Sequence, residues 1–213
     1  MSKLAVNIAM SLDGYVAGPD QSVNDPLGVG GMELHAWFHP LKEFREMHGE
    51  QGGETDASSA VVNERNENVG ATIMGRKMFG GDAGPWGEDP WPGWWGQEPP
   101  FHHPVFVITH HAREPLQMNG GTTFHFVTDG IEPALAQARD AARGQDVRLA
   151  GGASVVNEYL AAGLVDELDL SIVPLVMGGG ERLFAGLVPG DLKLTQLRAI
   201  EAPGVTHIKY RIR

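Results

Sequence analysis

Three short segments hold residue types suited to gripping an anion, each at the end of an apolar run. Met74-Gly75-Arg76-Lys77 follows Ala71-Thr72-Ile73, Thr109-His110-His111 follows Val105-Phe106-Val107-Ile108, and Ala150-Gly151-Gly152-Ala153-Ser154 follows Val147-Arg148-Leu149. Where a strand stops, its last amides lose their ladder partners and must bond elsewhere. Glycine lets a ligand approach the backbone, Arg76 and Lys77 add positive charge, and a histidine such as His110 gains charge when protonated near neutral pH. The Gly151-Gly152 pair would open a helix whose N-terminal amides suit a pyrophosphate. Any one of the three is an ordinary strand-to-helix turn; gathered at one edge of a sheet they would make an anion site.

Other patterns point elsewhere. Gly28-Val29-Gly30-Gly31 follows no strand, so it is not the dinucleotide fingerprint, and the Walker phosphate loop does not occur. His102-His103 and His110-His111 tempt a metal reading, but adjacent strand residues face opposite ways and seldom share an ion. No metal site is expected. Trp86, Trp91, Trp94 and Trp95 fall in the irregular Gly- and Pro-rich stretch 80–104, which reads as a long ordered loop. It would serve as a lid over a flat heterocycle, as a plug for the sheet edge, or as a subunit contact.

These segments need a scaffold, and the apolar pattern supplies one. Leu4 to Met10 reads as a buried strand ending in the turn Ser11-Leu12-Asp13-Gly14. Leu34, Trp37, Phe38, Leu41 and Phe44 recur at helical spacing, predicting one helix over 33–47 with His35, Trp37 and Phe38 on its core face. A second helix is expected over 58–68, and strands over 71–74, 105–108, 124–127 and 147–150. Asp129 would cap a helix over 133–143 that Gly144 stops, and Gly163 would close another over 153–162. Leu168, Leu170 and Ile172 alternate with Glu167, Asp169 and Ser171, as in a half-buried strand; 192–200 and 205–212 flank Ala202-Pro203-Gly204 as an antiparallel hairpin. The order predicts an α/β fold: a mostly parallel sheet with right-handed crossovers and an antiparallel C-terminal edge, in one domain over 1–213.

Composition narrows the function. The chain has 213 residues, no cysteine and a formal net charge of −11. The missing cysteine excludes thiolate zinc, iron–sulfur clusters and cysteine nucleophiles. The negative charge disfavours nucleic acid as a partner. The N-terminus shows no signal peptide and no stretch is long and apolar enough to span a bilayer, so a soluble cytoplasmic protein without a membrane partner is expected.

Taken in order, Ser11-Leu12-Asp13-Gly14-Tyr15-Val16-Ala17-Gly18, Met74-Gly75-Arg76-Lys77 and Gly151-Gly152-Ala153-Ser154 resemble the dihydrofolate reductase-like superfamily. The closer similarity is to the reductase domain of the bifunctional riboflavin-biosynthesis deaminase-reductase and its stand-alone bacterial relatives, joined by Gly163-Leu164-Val165-Asp166-Glu167-Leu168 and Pro174-Leu175-Val176-Met177-Gly178-Gly179-Gly180. The resemblance implies a three-layer fold, an NADPH-dependent reductase acting on a small heterocyclic or carbonyl substrate, and a homodimer. It assigns Gly75, Arg76 and Lys77 to the cofactor phosphates, Thr109 and His110 to the adenosine 2′-phosphate with Arg113 nearby, and Gly151, Gly152, Ser154 and Val155 to the pyrophosphate and nicotinamide ribose. Asp13 would border nicotinamide and substrate, as a candidate proton source; it is equally a turn residue before Gly14.

The departures matter too. Met78 stands where dihydrofolate reductases usually carry a threonine, and Glu33, the candidate for their pterin-holding carboxylate, is displaced by one position. Residues 19–60 hold eight acids and two bases. A phosphate monoester, the riboflavin precursor among them, would be poorly received unless Arg65 or another distant cation folds in. A non-catalytic dinucleotide-binding protein and an interaction module on the same fold are the alternatives.

Overall fold

The computed structural model describes residues 2–80, 84–88 and 91–213; residues 81–83 and 89–90 of the tryptophan-rich loop lie outside the described residues. The chain runs β1 (Leu4–Ser11), β2 (Tyr15–Ala17), a 3-10 turn (Gly31–His35), α1 (Lys42–Met47), α2 (Ala57–Asn66), β3 (Val69–Gly75), α3 (Arg76–Phe79) and β4 (Pro104–Ile108). It continues through β5 (Leu116–Gln117), β6 (Thr123–Val127), α4 (Ile131–Ala142), β7 (Asp146–Gly151), α5 (Ala153–Ala161), β8 (Glu167–Val173), β9 (Glu181–Arg182), β10 (Leu194–Ala202) and β11 (Val205–Ile212).

Nine strands form one sheet in the order β10-β11-β8-β1-β7-β3-β4-β6-β5. From β8 to β6 every pairing is parallel, while β11 and β5 lie antiparallel at the two sides. This is the expected mixed α/β architecture with its C-terminal hairpin. The chain steps outward from β3 to β6 and then returns to insert β7 between β1 and β3. Gly75, Ile108, Val127 and Gly151 thereby all finish at the same edge of the sheet. Val6, Ile73, Leu149 and Leu168 are buried beneath α4 and α5, whose Ala138, Val156 and Leu160 complete the main core. A second cluster, Met74, Phe79, Val105, Val107 and Phe124, carries Trp86, Trp91 and Trp95 on its surface.

Several local expectations are corrected. The helix expected over 33–47 is broken: Gly31–His35 is a 3-10 turn, and α1 starts only at Lys42. Pro40 lacks an amide and disfavours helical geometry at His39, so the apolar spacing could not be realised as one rod. Gly130, not Asp129, occupies the N-cap of α4 at φ 95°, a conformation open to glycine. Strand β8 is buried on both faces, because α2 and the hairpin cover the side that carries Glu167, Asp169 and Ser171. Asp169 accepts from both Arg65 (2.6 Å) and Arg198 (3.0 Å), which satisfies a carboxylate that burial would otherwise make costly.

Candidate active site

A cleft of ≈ 510 Å³ opens at the carboxyl edge of the parallel strands. Gly75, Arg76 and Lys77 line it from the end of β3, Thr109 and His110 from the end of β4, and Gly151, Gly152, Ser154 and Val155 from the turn into α5. The structure thus brings the three segments together. Thr128 and Gly130, just beyond β6, also line it. They close the row of strand ends, and sequence reading missed them by taking Asp129 between them only as a helix cap.

The floor of the cleft is backbone. Gly152 caps α5 without any side-chain hydrogen bond, so the first-turn amides of this nine-residue helix find no side-chain cap. A Cβ on Gly152 would meet nothing within 4 Å, because that face is open to the cleft. Gly75 has a different reason to be glycine: its Cβ would come 2.8 Å from Val155 Cγ2, so the bare backbone is what lets β3 pack against α5. The Gly151–Gly152 peptide is cis.

Charge is arranged less simply than the sequence suggests. Helix α3 is a single turn, so its dipole contributes little and the side chains must supply the field. Arg76 lays its guanidinium over Trp86, 3.6 Å from the ring centroid, and donates to the Gly80 carbonyl. Lys77 Nζ reaches Glu181 Oε1, which also lines the cleft. Arg113 does not line the cleft: it packs over Trp86 and Phe126 and donates to the Trp91 carbonyl (2.7 Å). Trp94 and Trp95 form part of the cleft wall, whereas Trp86 covers Phe79 and Phe126, so the loop both walls the cleft and plugs the sheet edge.

The two carboxylates stand apart from this. Asp13 lines neither this cleft nor the cavity beside it. Its Oδ1 accepts from Ser11 Oγ (2.6 Å) and the Met177 amide (3.0 Å), and its Oδ2 from the Gly178 amide (2.7 Å). The Ser11 hydroxyl first, then these amides, lower its pKa to about 2. A carboxylate so held is ionised at neutral pH and clamps the β1–β2 turn to the loop after β8. Glu33 is exposed on the 3-10 turn and lines neither space.

His35 takes the place the sequence had given to Glu33. It lines both the cleft and a larger cavity of ≈ 1300 Å³. Its Nδ1 is buried and has no hydrogen-bond partner among the described residues. Burial, with His39 adding in the same direction and the Gly31 backbone opposing, lowers its pKa below the usual 6.5. The larger cavity is bounded by α1, α2, the loop 95–103 and the strand residues Asn7, Gly70 and Arg148. The two spaces meet at Ile8, Ala9, His35, Met78, Trp95 and Ala150.

Residues 2–205 match the RibD C-terminal domain family. The chain belongs to that family. Within it, this RibD C-terminal domain is 41% identical over 68 residues to the uncharacterized protein YyaP of Bacillus subtilis (strain 168), covering 32% of this chain and 36% of YyaP. The chain therefore matches about a third of the length of its curated relatives. Its fold is shared with a putative riboflavin biosynthesis protein from Shewanella sp. PV-4, with a TM-score of 0.61 at 21% identity over 99% of both chains. It is shared also with dihydrofolate reductase from Enterococcus faecalis complexed with NADP(H), with a TM-score of 0.51 at 13% identity over 99% of this chain and 96% of that one. Among the described residues no helix is long and apolar enough to cross a membrane.

Proposed function

We propose that this RibD C-terminal domain protein is an NADPH-dependent reductase of a small planar acceptor. The observation that carries the reading is the meeting of two cavities at one short wall, formed by Ile8, Ala9, His35, Met78, Trp95 and Ala150. A reaction between two bound molecules needs such a junction, with each partner held on its own side and the reacting atoms face to face. The solved relative that holds NADP(H) lends the cofactor assignment its support.

The residues present fit that cofactor. The open face of Gly152, the uncapped start of α5 and Ser154 offer donors to a pyrophosphate, and Lys77 and Arg76 line the same cleft. Thr109 and exposed His110, beside Thr128 and Gly130, would take the 2′-phosphate end. When bound, the dihydronicotinamide supplies a hydride from its C4 to an electron-poor C=N or C=O, leaving NADP⁺, and one proton completes the two-electron reduction. Asp13 does not give that proton, and with Glu33 also outside the cavities it comes from solvent. His35 Nδ1, neutral at pH 7, hydrogen-bonds the acceptor and orients it, while Trp95 and Met78 exclude water from the junction.

Arg65 does fold toward the acceptor cavity, yet its charge is already matched by Asp169. Slow turnover of the phosphorylated riboflavin intermediate is therefore expected. The test is NADPH oxidation across a panel of pteridines, pyrimidines and quinones. Saturable turnover of at least one supports the reading. NADPH binding with no oxidation across the panel would make the protein a non-catalytic dinucleotide binder, and no NADPH binding would remove the cofactor.

A further inference from the structure

We infer that the larger cavity is built for an acceptor bearing a carboxylate, and that Arg148 receives it. This rests on the reading that the acceptor occupies that cavity.

Arg148 lies on β7 between Val147 and Leu149, which both enter the main core, so its side chain faces the opposite side of the sheet and lines the larger cavity. It stands two residues before Ala150, at the junction. At ~3.3 Å of rise per strand residue, the Arg148 backbone lies roughly 7 Å from Ala150, with the two side chains on the same face of β7.

The guanidinium has neutral partners only. Its Nη2 donates to the Arg65 carbonyl (2.8 Å) and to Asn66 Oδ1 (2.5 Å), and its Nε is buried with no hydrogen-bond partner among the described residues. None of the ion pairs among the described residues includes Arg148, whereas Arg65 and Arg198 both pair with Asp169. Burial, then the neighbouring Arg65 charge, lower its pKa to about 10, so it stays protonated at neutral pH. A half-buried cation without an anion is costly, and a ligand that brings the missing charge recovers that cost on binding.

The surroundings choose the anion. His103 beside it is held at a pKa of about 4, mainly by burial, and bonds Thr72 Oγ1 through Nε2 (2.8 Å), so it adds no charge at neutral pH. His48 and His102 each turn Nδ1 to a backbone carbonyl. Glu43, Glu46 and Glu98 line the same cavity; Glu43 accepts from Ser59 and Asn63, and Glu46 pairs with Lys42. One unmatched positive charge among these acids suits a monoanion, not a phosphate dianion. The ligand class is a planar conjugated heterocycle with a carboxylate substituent.

Isothermal titration of the full chain, without nucleotide, with pterin-6-carboxylate and with 6-hydroxymethylpterin as the neutral probe, tests this. The wild-type protein is expected to prefer the carboxylate by at least about tenfold, as a charge-assisted hydrogen bond gives. Arg148→Gln should bring the two probes to within about twofold of each other. Arg148→Lys, which keeps the charge, should retain part of the preference and serves if the glutamine variant fails to fold. Equal affinities in the wild type, failure of both probes to bind, or a preference that survives Arg148→Gln overturns the inference. NADPH titration of the same samples separates the two readings: carboxylate preference without NADPH binding would end the reductase and leave the anion site standing.

Discussion

Lys77 Nζ lies 2.7 Å from Glu181 Oε1, and both residues line the cleft, so one of the cations available to an anionic ligand is already matched. The pair is largely exposed and adds little to stability. A phosphate entering the cleft must compete with the carboxylate.

Glu181→Gln is therefore expected to tighten NADPH binding roughly 1.4–5-fold, the equivalent of the 0.2–1 kcal/mol that an exposed pair is worth. Titration followed by tryptophan fluorescence measures it. Unchanged or weaker binding would take Lys77 out of the cofactor site.

Asp13 is expected to act by position and not by proton transfer. Asp13→Asn should speed hydrogen exchange at the Met177 and Gly178 amides it now holds, and should lower turnover without changing the shape of the pH profile between about pH 5 and 8. Disappearance of an ionisation from that profile in the variant would restore Asp13 as an acid.

The strands were legible because their apolar runs end in turn residues, and the three cleft segments because Gly75, Thr109 and Gly151 mark where those runs stop. What escaped was decided by tertiary contacts. The 33–47 pattern is helical in spacing, but Pro40 divides it, and His35 lines the junction. Alternation in β8 suggested a wet face, yet Glu167, Asp169 and Ser171 are buried because Arg65 and Lys209, remote in the chain, come to meet them. Arg148 carried no signal at all: what isolates it is a partner it lacks, which no local pattern records.

That buried polar layer makes stability depend on pH. His207 is wholly buried, with Nδ1 3.0 Å from Ser171 Oγ and Nε2 3.0 Å from Ser58 Oγ. Burial first, then the charges of Arg65 and Arg198, lower its pKa from 6.5 to about 4, while Asp56 acts the other way. Between those values the unfolded chain takes up a proton that the folded chain refuses, so stability is full above pH 6.5 and falls as the pH drops toward 4. The loss is on the order of 3 kcal/mol at the acid end. Urea denaturation at several pH values should show this slope, and His207→Gln should flatten it; an equally steep slope in the variant would assign the effect elsewhere.

Asp169 is the keystone of the same layer, its side chain 3% exposed between Arg65 and Arg198. Asp169→Ala leaves Arg65 without its anion and Arg198 with Glu64 alone, and should cost about 3 kcal/mol of unfolding free energy. A loss below about 1 kcal/mol in chemical denaturation would mean that water enters freely there.

The central claim is that a dinucleotide lies across the start of α5, and NADPH titration of the wild type beside Gly152→Leu addresses it most directly. Gly152 sits at φ −74°, which other residues adopt, and a Cβ there would meet nothing within 4 Å, so leucine is directed into the cleft. Trp94 and Trp95 on the cleft wall report occupancy. The account predicts saturable quenching in the wild type and at least about tenfold weaker binding in a variant of unchanged stability. No saturable quenching in the wild type, or undiminished affinity in Gly152→Leu, would contradict it.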